Sequence, residues 1–301
     1  MQRSKKSKLN QLPTAWNVLL NLIFILCAAT CIIPILLVVG ISISDESSLM
    51  MNGYNIIPKK FSGEAYKYVA DNAKMIFDAY GVTLFSTICG TLLSVLVISF
   101  YAYPLSRKDF KYRQAFTFFI FLTMIFNGGM VPWYLVCTKI LNLQNKIWAL
   151  IIPYVFNAWY VIILRTFFSL NIPPSLIEAA KIDGAGEFRI FFKMIIPLSL
   201  PGIATIALFQ TLGYWNDWWL PLMFTSTKSN LVNLQFLLYR ILTNIQAIAD
   251  NPAASASFTT RLPAESVRMA LCIIAIGPIV LAYPYFQKYF VQGLTVGAIK
   301  G

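Results

Sequence analysis

The chain has 301 residues, of which 58% are hydrophobic, 15% aromatic and only 12% charged, with a mean hydropathy of +0.66. That profile excludes an ordinary soluble domain, and the absence of histidine removes the commonest metal ligand and the commonest general base. The +12 net charge is concentrated between apolar runs, which suits topology and anionic lipid and gives no case for nucleic acid.

Six stretches approach or exceed the roughly 18–20 apolar residues that cross a hydrocarbon core of about 30 Å as a helix. They are 15–41, 81–106, 114–138, 147–164, 198–224 and 269–287, and they predict an all-α membrane protein of six spans. The first follows a basic tail, 1–14, with Arg3, Lys5, Lys6 and Lys8. It is too long for the roughly 7–15 apolar residues of a cleaved signal, so it reads as a retained helix.

With the N-terminus inside, the segments 1–14, 107–113, 165–193 and 288–301 hold 14 of the 24 Lys/Arg. The short loop "RKDFKYR" (107–113) is the sharpest vote, and the bias predicts a multi-pass cell-membrane protein with both termini cytoplasmic. Cys27, Cys31, Cys89, Cys137 and Cys272 all fall inside predicted spans and read as small hydrophobes. Pro34, Pro104, Pro132 and Pro278 lie within or at the ends of spans and predict kinks.

Outside, the stretch 59–80 is amphipathic and suits the outer membrane face rather than a span. In the third span, "NGG" at 127–129 suits close helix crossing better than substrate contact, with Asn127 able to bond across helices. Near the outer end of the fifth span, "GYWNDWW" gathers Tyr214, Trp215, Asn216, Asp217, Trp218 and Trp219. Rings with an acid and an amide suit sugar recognition, but tryptophan and tyrosine also anchor helices at membrane interfaces. For Asn216 and Asp217 a lumen-facing or inter-subunit place is favoured, since a carboxylate against lipid is costly.

No phosphate-cradling glycine loop occurs, and Asp217 is the single formal charge within the six stretches. A proton- or ion-coupled carrier usually needs several such groups. Energy for any transport must then enter from a partner.

Between the fourth and fifth spans lies a polar insertion, 165–197. "NIPPSLIEAAKIDG" places Pro173 and Pro174 at a helix start, with Ser175 able to cap and Glu178 three residues on. Gly184 and Gly186 break that helix. A second helix follows, with Phe188, Phe191, Phe192 and Ile195 on one apolar face and Pro197 as its end.

"EAAKIDGA…IIPLSLP" resembles the EAA loop of permease subunits of ABC-type importers. Glu178, Ala179, Ala180, Gly184 and Pro197 match in register, with Met194 and Ile196 standing for the two aliphatics. "AYPLSR" (102–107), "YWNDWWLPLMF" (214–224) and "KYFVQGLTVGAIKG" (288–301) are similar to maltose-type carbohydrate permeases. "FNGGMVPWYLV" (126–136) and "WALIIP" (148–153) look most like a branch that handles oligosaccharides or complex-polysaccharide fragments.

The resemblance implies a type I importer permease whose EAA loop docks in an ATPase subunit. Glu178, Ala179, Ala180, Asp183, Gly184, Ala185, Phe188 and Pro197 would be the coupling residues. The tail would reach between two ATPase subunits through Gly293, Thr295, Gly297 and Gly301, although its glycine content also suits a frayed end. Tyr214, Trp215, Asn216, Asp217, Trp218 and Asn127 would be candidates for the translocation path. The implied partners are a second permease, two ATPase subunits carrying ATP and Mg, an external solute-binding protein touching the loop 249–265, an oligosaccharide and membrane lipid. The chain itself would bind no cofactor and perform no covalent chemistry. A self-contained secondary carrier, a permease for another small solute and a scaffold that only anchors an ATPase remain as alternatives.

Overall fold

The computed structural model describes residues 13–226, 229–249 and 264–298. The described chain is helical apart from one isolated bridge between Ser44 and Phe61, and it divides into two compact units.

The first unit combines residues 1–71 with 256–273. Helix α1 (Thr14–Ser42) is uncharged and carries Pro34 within an unbroken helix. Its side chains from Trp16 to Leu36, including Cys27 and Cys31, are almost all exposed, as expected of a span that faces lipid all round. A connector of two short helices follows, α2 (Glu46–Asn52) and α3 (Glu64–Asp71).

Asp45 caps α2 by accepting from Ser48 N at 3.1 Å, and it pairs with Lys60 at 3.1 Å. The Ser47 hydroxyl, the Lys60 ammonium and the Ser48 amide hold its carboxyl down to about 2. Glu46 is buried and reaches the N-terminus of the last helix. It accepts from Glu265 N (3.0 Å), Ser266 N (3.1 Å) and Ser266 Oγ (2.8 Å), so a carboxylate satisfies amides that the helix cannot. The expected amphipathic stretch 59–80 is therefore divided between an irregular strap, α3 and the start of the next helix.

The second unit is residues 72–255 with 274–301, organised around α4 (Ala73–Ser106), 34 residues without a break. Thr83, Ser86, Thr87, Gly90, Ser94, Ile98 and Ala102 recur at helical spacing on its buried face. Small side chains there let neighbours approach closely, which in a bilayer replaces the hydrophobic drive between helices. At Gly90 an added Cβ would lie 2.5 Å from the Tyr214 ring. That ring is buried and its hydroxyl donates to Ile151 O at 2.9 Å, so it cannot give way.

The later apolar stretches are bent rather than straight. Helix α5 (Arg113–Ile125) and helix α6 (Met130–Ile140) meet at 114°. Gly129 sits at φ +87°, and Asn127 Oδ1 accepts from Gly129 N at 2.9 Å. "NGG" thus builds a corner within the expected third span. A 3-10 run, Ile147–Tyr154, meets helix α7 (Ala158–Asn171) at 52°, with Asn157 capping α7 through Trp159 N at 2.9 Å.

Helix α8 (Pro174–Ile182) and helix α9 (Glu187–Leu198) form the polar insertion. Helix α9 turns by 80° into helix α10 (Leu200–Trp215). A break at 216–218 separates α10 from the short α11 (Trp219–Phe224). Helices α12 (Leu234–Ala249) and α13 (Ala264–Ala298) complete the described chain. By length and apolarity two described helices, α1 and α4, cross a membrane as single rods, or up to five spans if each bent pair counts as one. The sixth expected stretch, 269–287, lies inside α13, which runs unbroken past Pro278 and Pro284.

Replacing Gly90 by valine should overpack the α4–α10 contact and cost about 1–3 kcal/mol, lowering the melting temperature of the detergent-solubilised protein by several degrees. Gly213→Ala, inside a helix where an added Cβ meets nothing within 4 Å, should not lower it and should raise it slightly, since alanine is the better helix former.

Candidate functional site: the corner between α8 and α9

The two helices of the insertion are built from different signals. Helix α8 starts on Pro173 as N-cap with Pro174 in its first turn, and no side chain caps it. The anticipated Ser175–Glu178 capping box does not form, because the prolines move the helix start two residues upstream of Ser175. Its end follows the Schellman pattern. Gly184 at φ +78° donates to Lys181 O at 3.0 Å, and Ala185 N to Ala180 O at 2.9 Å. Left-handed backbone at the residue after the cap is what glycine supplies without strain.

Helix α9 winds as a π-helix over Phe191–Ile195, which shifts its register by about one residue. The buried set is therefore Ile190, Phe191 and Ile195, whereas Phe188 and Phe192 are exposed. The expected face of Phe188, Phe191, Phe192 and Ile195 is corrected accordingly. Pro197 lies within the final turn rather than ending the helix, and the chain turns at Ser199.

Ile177 and Ala180 of α8 join Ile190, Phe191 and Ile195 in one core with Tyr103, Leu105, Leu164 and Phe168. Phe100 stacks on Phe191 at 4.7 Å. On the opposite side Glu178, Ala179, Asp183 and Gly184 are exposed and Ala185 is half-buried. Ile182 (86% exposed) and Phe188 (73%) project from either side of the glycine turn. Exposed apolar side chains on a firmly anchored corner are the signature of an interface rather than of a connector.

An ion network fixes that corner to the end of α4. Arg107 Nη1 donates to Glu187 Oε2 at 2.6 Å, and Arg107 Nε to Asp109 Oδ1 at 2.8 Å. Tyr103 Oη donates to Glu187 Oε2 at 3.0 Å. Lys181 reaches Glu187 at 3.0 Å and Asp109 at 3.5 Å. The Arg107 hydrogen bond holds the Asp109 carboxyl below its usual range and raises the guanidinium in turn. Partial burial pushes the Glu187 carboxyl up, but the donors Lys181, Tyr103 and Arg107 outweigh it and leave it lowered. In the sequence Arg107 enters only as a topology signal and as the end of the AYPLSR stretch, with nothing to pair it with Glu187.

The aromatic cluster of the fifth stretch is not one platform. Tyr214 and Trp215 are buried, and Trp215 Nε1 donates to Ala275 O at 3.1 Å. Asp217, also buried, accepts from Trp219 N (3.1 Å) and Leu220 N (3.2 Å), capping α11. Its backbone carbonyl accepts from the Asn233 amide. Asn216 is exposed and donates to Leu212 O at 3.0 Å. Trp218 is exposed and stacks on Tyr239 at 4.9 Å. The break at 216–218 is what separates Trp215 from Trp218 and Trp219, which one continuous helix would have kept on one side. Sequence reasoning missed Gln210, a buried amide that donates to Tyr154 O at 3.3 Å.

Asn127 is exposed at its own corner. Gly293, Thr295 and Gly297 lie in the backbone of α13, which stays helical to Ala298, in place of the non-helical tail expected there. Gly301 and the loop 250–263 fall outside the described residues.

Bent apolar helix pairs around one long rod, with an apolar-tipped corner clamped to its end, define an all-α chain with helices long and apolar enough to cross a membrane. The chain belongs to the family of binding-protein-dependent transport system inner membrane components, whose profile matches residues 96–296. It is 37% identical over 274 residues, 91% of this chain and 94% of the relative, to a polygalacturonan/rhamnogalacturonan transport system permease protein of Bacillus subtilis. It is 30% identical to a trehalose/maltose transport system permease protein of Thermococcus litoralis, covering 95% of this chain and 97% of the other. Among solved structures it superposes, with a TM-score of 0.77 and 31% identity, on a chain of a bacterial ABC transporter involved in import of the acidic polysaccharide alginate, covering 92% and 95% of the two chains. The relatives are subunits of transport systems for sugars and oligosaccharides.

Because Asp109 and Glu187 are both lowered in the folded protein, their contribution is complete above the ordinary carboxylate range near pH 4. It is lost as pH falls through the folded values. Both carboxylates are more than half exposed, so screening limits each pair to about 1 kcal/mol or less. Glu187→Gln should lower the melting temperature at pH 7, and the gap to wild type should close by about pH 3.

Proposed function

We propose that this chain is one of two permease subunits of an ATP-driven, binding-protein-dependent importer of oligosaccharides. The observation that carries the reading is the corner itself: Ile182 and Phe188 projecting beside exposed Glu178 and Ala179, on a turn set by Gly184 and clamped by Arg107. A connector needs neither apolar tips nor a clamp. A docking element that must transmit force needs both.

In this reading the corner lies in the cytoplasm, where the positive bias of the 107–113 loop also puts it. Its apolar tips enter a cleft of an ATPase subunit, and Glu178 adds charge-assisted contacts there. Asp183 and Ala185 flank the turn, and Pro197 closes the helix that leads back to the membrane. ATP and Mg are held by the two ATPase subunits, and their closure biases the spans between inward- and outward-facing states. A solute-binding protein delivers cargo outside, and both termini, including the α13 tail with Gly293, Thr295, Gly297 and Gly301, are cytoplasmic. The relatives named for polygalacturonan, rhamnogalacturonan and alginate transport support oligosaccharides from acidic or complex polysaccharides as cargo.

Exposed Trp218 stacked on half-buried Tyr239, with exposed Asn216 accepting from the Gln235 amide, offers the aromatic and amide groups best suited to a sugar ring on this chain. Tyr214, Trp215 and Asp217 support these groups from the core, and Asn127 shapes a separate corner. A self-contained carrier gains nothing from these residues, because the acid within the bent spans is committed to capping α11.

Tagged protein should be pulled from native membranes in wild-type, Gly184→Pro and Ile182→Asp/Phe188→Asp forms, with partners identified by mass spectrometry. A P-loop ATPase should accompany the wild type and fall about thirtyfold or more in both variants, as loss of interface anchors worth about 2 kcal/mol each predicts. Membrane insertion should be unchanged. Wild-type ATPase recovery in the double aspartate variant would remove the docking assignment.

A further inference from the structure

Beside the clamp, and not used by it, lies a second groove between α5 and α7, with a volume of about 960 Å³. Its α5 wall is Gln114, Thr117, Phe118 and Phe121, one helical stripe. Its α7 wall is Ile162 and Arg165, and its mouth carries Lys108, Lys111 and Arg113. Four cations line it and no carboxylate does.

Those cations lack partners of opposite charge. Among the described residues none of Lys108, Lys111, Arg113 and Arg165 forms an ion pair. Asp109, the nearest acid in sequence, is held by Arg107 and Lys181. Arg165 donates Nε to Leu105 O at 3.2 Å, which leaves its remaining N–H groups free for an anion. Arg113 and Arg165 are both half-buried and line the same groove, so like charges face one site with no acid to offset them. Phe118 and Phe121 are 65% and 53% exposed on a helix whose surface is otherwise apolar. The groove therefore joins an uncompensated basic mouth to an apolar wall.

We propose that this groove binds an anionic glycerophospholipid, its phosphate between Arg113, Arg165, Lys108 and Lys111 and an acyl chain along Phe118 and Phe121. Charge complementarity selects an anion, since basic pockets between membrane helices recruit acidic headgroups. The apolar wall selects a lipid over a soluble phosphate, which would leave that wall unused. Lys108 and Arg113 also line the smaller cavity of about 280 Å³ beneath α8, together with Glu178 and Lys181. A bound headgroup thus relieves repulsion next to the clamp.

The test uses the assembled complex, extracted in mild detergent. Bound lipid is quantified by mass spectrometry, and the delipidated complex is then titrated with dioleoylphosphatidylglycerol, dioleoylphosphatidylcholine or glycerol 3-phosphate while melting is followed. Phosphatidylglycerol should be retained and should raise the melting temperature; the other two should not. Arg113→Gln/Arg165→Gln should reduce retention about tenfold or more, and the doubly lysine-substituted form should recover most of it. Lys108→Gln/Lys111→Gln, changed at exposed positions outside any helix, should also weaken retention without a folding defect. Equal effects of the two lipids, a full effect of glycerol 3-phosphate, or wild-type retention in both glutamine variants would overturn the proposal. So would binding by the isolated chain that vanishes on assembly, because a partner subunit would then fill the groove.

Discussion

Inside hydrocarbon a backbone amide that leaves its helix has no water to turn to, and that constraint governs every break in this chain. The bent stretches are short of helical bonds at their corners; the α9–α10 corner is closed by backbone bonds at Ser199, and at the others a local side chain supplies what is missing. Asn127 closes the turn before α6, Asn157 caps α7, and Asp217 caps α11. Asn145 does the same for the loop that meets the end of α11, accepting from Ser226 N at 2.7 Å. Four short polar side chains thus satisfy amides that these bends and loops take out of their helices.

The remaining architecture follows from where those bends fall. Helix α4 is spared any break, so it becomes the element against which α7 and α10 pack, through a face of small residues. Tyr214 locks this arrangement by filling the space that Gly90 leaves and bonding to Ile151 O in the 3-10 run. At the other end, Arg107 extends the same helix into the polar corner. Packing and charge pairing therefore continue each other along one axis.

Much of this was legible beforehand. Long uncharged runs placed the apolar segments, and the spacing of Gly184 and Gly186 located the corner between α8 and α9. The bends were not legible, because Asn127 read as a packing residue and Asp217 as a lumen-facing or inter-subunit one, while the backbone amides they accept from leave no mark in a sequence. The buried face of α9 was misjudged because a π turn alters the period that the reading assumed. The clamp was invisible for a different reason. Its members sit about 80 residues apart, and long-range ion pairs leave no periodic trace in one sequence.

Helix α4 is about 50 Å long at 1.5 Å per residue, and both its ends are tied. Arg107 joins one to the corner, and the Tyr80 hydroxyl donates to Ile274 O of α13 near the other. Pro104 removes a single amide near one end; over the rest of its length the helix keeps its hydrogen-bond ladder, which makes it stiff in torsion as well as in bending. Its two tied ends are therefore held at a set distance and angle to each other. The corner and the contact at Ile274 thus answer to one helix rather than to a relay of separate contacts, and the pose of α4 fixes both together.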